Sequence, residues 1–590
     1  MLVLWQLETG RRQDIPHLGA PLESVVVSPF GASYGIRLAD NSAMILSTSE
    51  LTPTFSIAGI QIPSARHASN LDLPFIPTVD APWQKIHSPQ NLRFPACISS
   101  LRPGCLLLAV PASSTSRQAS TATRSASYLQ SFDIGAAHQI SRQALTRTKI
   151  TELNMGPESN TVEEPNVTHI QTSVDGQWLA TVDAWTPPKR DLEPLACDRV
   201  RLAEEQTFRE EIHLKFWSWN DDSNAWELVS RIDNPHASQS GSPYEHGDVL
   251  QLSSDPSSVG FATLGADGIV KTWKPAIRRR HGLDVRDKDG KGLTSWHCKH
   301  VISVEMTKLS AQSSQLGAKL VYSQDGSILV AGLETPVPSP LYVLDTYSGD
   351  IQSIQTGLYN GPLFGLGVIN KYLITLSNEL CVWDLVNDEL RYGIDLQQVK
   401  NVSMERRKAS SHLAVDLQQG IFAIALPDMK GDHKKSSERR SQVVIFDPTS
   451  AAPLYQTSVP NTITAILPIA GRKGFHTIDS AAEVRTLVPS QSVSSLLAPS
   501  KDETLPSRGL RDIFGNGQST RSVEGPAGKD VGPLTSKFES VTQASRIRDD
   551  DAVVVSQDQL AKVFDVGTAY PPVMEMFEQV ASLYSGRAVS

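Results

Sequence analysis

Cysteine is scarce and scattered. No two of the five, Cys97, Cys105, Cys197, Cys298 and Cys381, form a C-x-x-C pair, which argues against a zinc site or a disulfide framework and suits a reducing intracellular compartment. Long apolar runs are missing as well. Nothing approaches the ~20 consecutive apolar residues of a membrane span, and the opening MLVLWQLETGRR has neither the basic n-region nor the apolar length of a signal peptide, so a soluble chain with no membrane partner is expected. Positive charge is not in excess: 54 Lys and Arg against 63 Asp and Glu leave −9. Bulk charge therefore excludes a polyanion binder, and any nucleic-acid contact has to come from local patches. Reaction chemistry is missing too. There is no nucleophile elbow, no H-E-x-x-H and no phosphate-cradling G-x-x-x-x-G-K-[ST]. The fourteen histidines are dispersed, and neither His297/His300 nor His236/His246 has carboxylate or cysteine neighbours at metal-ligand spacing. No enzymatic activity, metal, cofactor or small-molecule substrate is expected.

What the sequence does contain is short strands and turns. The stretch 246–273, HGDVLQLSSDPSSVGFATLGADGIVKTW, holds three strand-like runs at 248–252, 259–264 and 269–273. Asp255-Pro256-Ser257-Ser258 and Ala266-Asp267-Gly268 separate them, which makes an antiparallel meander rather than a helix. A lone meander is marginal in water, so it has to stack on others. Similar units recur: SVDGQWLATVDAW with HLKFWSWN, YSQDGSILVAG with LYVLDTYSG, KYLITLSNELCVWDL, GIFAIALPD with QVVIFDPTS, and ITAILPIAGRKGFHTIDSAAEVRTL. Recurrence at roughly 40–60 residues marks radially repeated four-stranded blades, a β-propeller. The 38 Gly, 37 Pro and 40% hydrophobic residues suit an all-β protein with many turns.

The 246–273 unit resembles a WD repeat. His246-Gly247 stands where that repeat has Gly-His, and Trp273 lies six residues beyond Asp267. The resemblance puts His246, Thr263, Asp267 and Trp273 in one structural hydrogen-bond chain that satisfies buried polar groups, in preference to a catalytic use of His246 and Asp267. Elsewhere the pattern is degenerate: Trp383-Asp384 is a true Trp-Asp pair, whereas Trp217-Ser218 and Trp273-Lys274 are not.

Four segments follow. Residues 1–62 read as the final blade or blades of an incomplete first propeller, with LVLWQLETG as closing strands that have nothing before them, so the chain is expected to begin inside a propeller. Residues 63–490 read as a seven-bladed propeller, with units near 92–145, 166–232, 246–275, 297–355, 360–396, 411–458 and 461–488. Ser, Gly, Pro and charged residues dominate 491–550, the composition of a disordered linker. Residues 551–590 turn apolar again: after Pro571-Pro572, the residues Met574, Phe577, Val580, Ala581 and Tyr584 are spaced as one face of a short helix. That face docks either on its own propeller or on a partner.

Several polar insertions are expected between strands, among them the Ser/Thr-rich 111–127 and 187–211, whose latter part reads as a short helix. Two insertions are basic. RRRHGLDVRDKDGK (278–291) carries Arg278, Arg279, Arg280, Arg286, Lys288 and Lys291, and KGDHKKSSERR (430–440) carries Lys434, Lys435, Arg439 and Arg440 beside Lys430. Both are candidate RNA-contact loops that could neutralise phosphates without sequence preference. A solvated loop partly balanced by Asp284, Asp287 and Asp289 reads equally from these residues, and a nuclear-import signal is a third use.

VLWQLETG with HLGAPLESVVVSPFGASYGIRLADNSAMILSTSEL, FWSWN, GADGIVKTWKP followed by Trp296-His297-Cys298, and the closing PPVMEMFEQVASLY resemble the WD repeat-containing protein seventy-five family. Its members are tandem-propeller subunits of the UtpA (t-UTP) subcomplex of the small-subunit processome. The resemblance covers most of 1–490 and the closing residues, and leaves 491–549 unmatched. It implies a non-enzymatic scaffold of the nucleus and nucleolus that acts in early pre-rRNA processing toward small-subunit rRNA and supports RNA polymerase I transcription. The implied partners are other UtpA subunits, the 5′ external spacer of pre-rRNA and small nucleolar ribonucleoprotein. The alternative is a generic WD-repeat adaptor, such as a ubiquitin-ligase substrate receptor.

Overall fold

The computed structural model describes residues 2–5, 12–15, 538–542 and most of 22–489, the larger interruptions being 62–94, 112–125, 147–163, 193–201, 237–246, 305–316, 334–339, 397–403 and 428–439. The described chain is almost wholly antiparallel β. Leu2–Trp5 and Arg12–Ile15 form a two-stranded sheet, and Leu22–Val27, Ser33–Leu38, Ser42–Ser47 and Pro53–Ala58 form a four-stranded meander. Ile36, Leu38 and Leu46 give this N-terminal blade a small core. Its first strand leaves Val26 67% exposed and Val27 54% exposed.

Seven further four-stranded sheets follow, at 96–144, 166–233, 249–303, 318–355, 365–395, 412–459 and 463–489 with 538–542. They are called blades 1 to 7. Their innermost strands meet in cyclic order, and the last returns to the first. The middle strands read as continuous apolar runs because a neighbouring blade covers each face: Cys105–Val110 and Ile421–Pro427 are buried at every position. Outer strands such as Glu389–Asp395 alternate between half-buried and exposed. A hydrophobic cluster fills each interface, and the ring closes where Ile478 and Val484 of blade 7 pack on Leu106, Leu108 and Phe132 of blade 1.

Gly326 shows how one blade seats on the next. The Asp325-Gly326 turn of blade 4 has φ +72° at Gly326, and an added Cβ would lie 2.1 Å from Ser257 Oγ on blade 3. A side chain there is excluded by both the backbone and the neighbour.

Three boundaries differ from those read in the sequence. Thr294–Ser303 pairs with Ile269–Ile277 as the outer strand of blade 3, and blade 4 begins only at Ala318–Tyr322. Residues 59–61 already belong to the ring: Ile60 is buried in the closing cluster, and the Gln130 amide donates to Gly59 O at 2.8 Å and accepts from Gln61 N–H at 3.0 Å. Finally, 491–550 is not linker throughout. Phe538–Thr542 returns to pair with Val484–Pro489, from Arg485↔Thr542 to Pro489↔Phe538, and supplies the fourth strand of blade 7. Local composition hides this strand, because its pairing partner lies some fifty residues earlier. Residues 494–532 and 544–590 belong to a separate unit and, with the helix expected at Met574, Phe577, Val580 and Tyr584, lie outside the described residues.

Candidate interaction sites

The polar core of blade 3 is a chain of four side chains. Thr263 sits on the second strand, Trp273 on the third, and Asp267 in the turn between them. Trp273 Nε1 donates to Thr263 Oγ1 at 2.9 Å, and Asp267 Oδ1 accepts from the Ile269 amide at 3.0 Å. The histidine that completes the chain is His236, not His246. Its Nε2 lies 2.8 Å from Thr263 Oγ1 and its Nδ1 3.1 Å from Asp267 Oδ1. With Nδ1–H donating to the carboxylate, Nε2 accepts the threonine proton, and Thr263 Oγ1 is left to accept from the indole.

His236 directly follows the outer strand of blade 2, where Asn234 at φ 46° turns the chain inward, and it is 0% exposed. His246 lies outside the described residues. The His246-Gly247 dipeptide suggested the wrong member of the pair. The better signal was Gly265: a Cβ there would stand 2.3 Å from His236 Cγ, so this glycine is the imprint of an imidazole pressed on the strand. Both ring nitrogens are occupied and none of the ring reaches solvent, so the arrangement holds the blade together and offers no nucleophile or base to a substrate.

The letters G-x-S-x-G do occur once, at 31–35. Ser33 there opens the second strand of a hairpin, with its amide bound to Ser28 Oγ at 3.0 Å, and so lacks the strand-to-helix turn that an elbow requires. Burial pushes the Cys97 thiol up to about 12 and the Cys105 thiol up to about 11, away from thiolate chemistry. Among the described residues no three His, Cys, Asp or Glu side chains converge as a metal site, and no helix is long and apolar enough to cross a membrane.

The two basic stretches fare differently. In the first, Arg278, Arg279, Arg280 and Arg286 are all exposed, Lys288 and Lys291 lie outside the described residues, and Arg279 pairs with Asp284 at 2.9 Å. These residues build a β-hairpin, Arg279–Arg280 against Leu283–Asp284, rather than an irregular loop. In the second, Arg440 is exposed immediately before the strand Ser441–Phe446, and Lys434, Lys435 and Arg439 lie outside the described residues.

No family model matches the chain. It is similar to U3 small nucleolar RNA-associated protein 17 of Schizosaccharomyces pombe, at 25% identity over 46% of this chain and 30% of that protein. It is also similar to NET1-associated nuclear protein 1 of Saccharomyces cerevisiae, at 23% identity over 76% of this chain and 48% of that protein. The third relative is WD repeat-containing protein 75 of Xenopus laevis, at 21% identity over 77% and 42%. The chain thus spans half or less of the length of these relatives. Among solved structures, a chain of the mitotic checkpoint complex matches with TM-score 0.39 and 12% identity, over 71% of this chain and 97% of that one.

Proposed function

We propose that this chain, a relative of the WD repeat-containing protein seventy-five family, is a non-enzymatic nucleolar scaffold of ribosome biogenesis. In this reading it works within the small-subunit processome, beside other UtpA subunits, in early processing of pre-rRNA toward small-subunit rRNA. The observation that carries the proposal is the similarity to a protein named for U3 small nucleolar RNA over 46% of this chain and to one named for the nucleus over 76% of it. The site chemistry agrees with it: the polar side chains of blade 3 are consumed in holding the blade, and a rigid ring presents its loops to several partners at once. RNA contact falls in this reading to Lys434, Lys435, Arg439 and Arg440. Support of RNA polymerase I transcription rests on the family resemblance and is read separately, as the yield of nascent pre-rRNA after depletion.

The deciding experiment is affinity purification of the tagged full chain from nuclear extract, with and without ribonuclease, read by mass spectrometry and RNA sequencing. Co-purification of UtpA subunits and 5′ spacer RNA is the expected result. Recovery of ubiquitin-ligase subunits, indifferent to ribonuclease, would replace the reading with that of a substrate receptor.

A further inference from the structure

On blade 3 the third and outer strands outgrow their own sheet. Ile269–Ile277 and Thr294–Ser303 pair from Ile269↔Ser303 to Ile277↔Thr294, whereas the second strand reaches only as far as Phe261↔Trp273. Beyond Trp273 the ribbon runs on without a second strand beside it. Backbone bonds from Arg278 N–H to Leu293 O (2.7 Å), from Val285 N–H to Arg278 O (2.8 Å) and from Leu293 N–H to Val285 O (2.8 Å) carry the pairing into the hairpin. The result, among the described residues, is a β arm.

Side chains alternate along a strand, and directly opposed partners share a face. Arg280 is opposite Leu283, and Arg278 bonds across to Leu293 and Val285. Arg278, Arg280, Leu283 and Leu293 therefore belong to one face, with Ile277, Arg279 and Asp284 on the other. Leu283 is 75% exposed and Leu293 is 40% exposed. Asp284, the one carboxylate among the described residues of the arm, is taken by Arg279. The first face thus offers two exposed leucines, each opposite an arginine.

We propose that this face is a protein-docking surface for a polypeptide segment in which apolar side chains are interleaved with carboxylates. Apolar groups of the segment would cover Leu283 and Leu293, and its carboxylates would accept from the Arg278 and Arg280 guanidiniums, whose planar forks suit bidentate pairing. RNA is the poorer match. Phosphates can pair with the arginines, but nothing in a nucleic acid backbone covers the leucines, and the one Phe, Tyr or Trp of the arm, Trp296, is buried in the core and offers no open ring on which a base could stack. The proposal stands apart from the ribosome-assembly reading and survives its failure.

The test is fluorescence anisotropy with the full chain and three labelled probes: a short peptide of alternating Leu and Glu, its Leu and Lys counterpart, and single-stranded oligouridylate. The Leu/Glu peptide is expected to bind and the Leu/Lys peptide not to. Leu283→Ser and Leu293→Ser should each weaken binding about tenfold. The double variant Arg278→Glu with Arg280→Glu should abolish it and transfer binding to the Leu/Lys peptide. All these side chains are exposed, so an unchanged thermal midpoint verifies folding. Equal binding of the two peptides, or of neither, overturns the proposal. So does oligouridylate binding that needs the arginines and ignores the leucines, which would make the arm an RNA contact.

Discussion

Trp217 of blade 2 and Trp273 of blade 3 make the same bond at the same register: each indole Nε1 donates at 2.9 Å to a threonine hydroxyl on the preceding strand, Thr181 in one blade and Thr263 in the other. The correspondence extends outward. Thr181 pairs with Lys215, and Thr263 with Lys271. The ammonium of Lys215 donates to Leu145 O at 3.1 Å, and that of Lys271 to Pro235 O at 2.6 Å. The blades part company two residues past the threonine, where blade 3 has Gly265 and blade 2 has Asp183. The glycine makes room for His236, whereas the carboxylate reaches Lys215 at 2.7 Å. One repeat satisfies its buried polar core with an imidazole and the next with an ion pair.

Blade 3 should therefore be sensitive to substitutions too small to matter on a surface. Gly265→Ala displaces His236, and Thr263→Val strands the His236 Nε2 acceptor and the Trp273 donor; each is expected to cost about 2 kcal/mol or more. Thermal unfolding should show both variants well below Trp273→Phe, which removes one donor and leaves the His236–Thr263 bond intact.

The Asp183–Lys215 pair is almost fully buried. Burial pushes the Asp183 carboxyl up, against the pull of Lys215. Lys215→Met alone leaves that carboxylate without its partner, at an expected cost of about 3–5 kcal/mol. Adding Asp183→Leu should recover much of the loss, and a double-mutant cycle in denaturant measures the recovery. Additive losses would mean that the pair is not coupled.

A buried and a half-buried group give opposite pH trends. His476, whose Nδ1 lies 3.0 Å from Thr486 Oγ1, is pushed down to about 4 by burial. The unfolded chain therefore binds more protons between about pH 6.5 and 4, and up to about 3 kcal/mol of stability is lost as pH falls through that window. Glu210 is pushed up to about 7 by burial and by neighbouring Asp248, so its contribution is lost as pH rises from about 4.5 to 7. Unfolding midpoints across this range should fall less steeply toward acid in His476→Gln and less steeply toward neutrality in Glu210→Gln. A shared, unchanged profile would show that neither group titrates as its burial implies.

Deleting 538–542 uncovers the edge of Val484–Pro489, which pairs with it along five residues. A bare edge strand templates association. Lower thermal stability and concentration-dependent aggregation are expected, read by light scattering. Deleting 500–530 instead leaves the strand in place and should preserve the midpoint.

Much of this architecture was legible because strand signals are local. CLLLAV and IFAIALP show two-sided burial in their composition, and Asp-Gly turns mark where Gly176 and Gly326 need positive φ. Seven units were therefore countable before any coordinates. The histidine of blade 3 was not, since His236 and His246 sit in one connection and the local pattern favours the one beside a glycine. Nor was the arm: RRRHGLDVRDKDGK shows its charge openly, whereas Leu283 and Leu293 became a surface feature only once the ribbon outgrew its sheet.

Alternation, turn chemistry and repeat spacing determined by themselves that this chain is a stack of four-stranded meanders, because those properties act within a few residues. Only the tertiary structure decided which histidine enters the core of blade 3, that Thr294–Ser303 closes blade 3 rather than opening blade 4, and that Phe538–Thr542 completes blade 7. Each of these is a choice between locally equivalent segments, settled by which one can reach a vacant strand edge or a gap beside a glycine and bury its polar groups with partners.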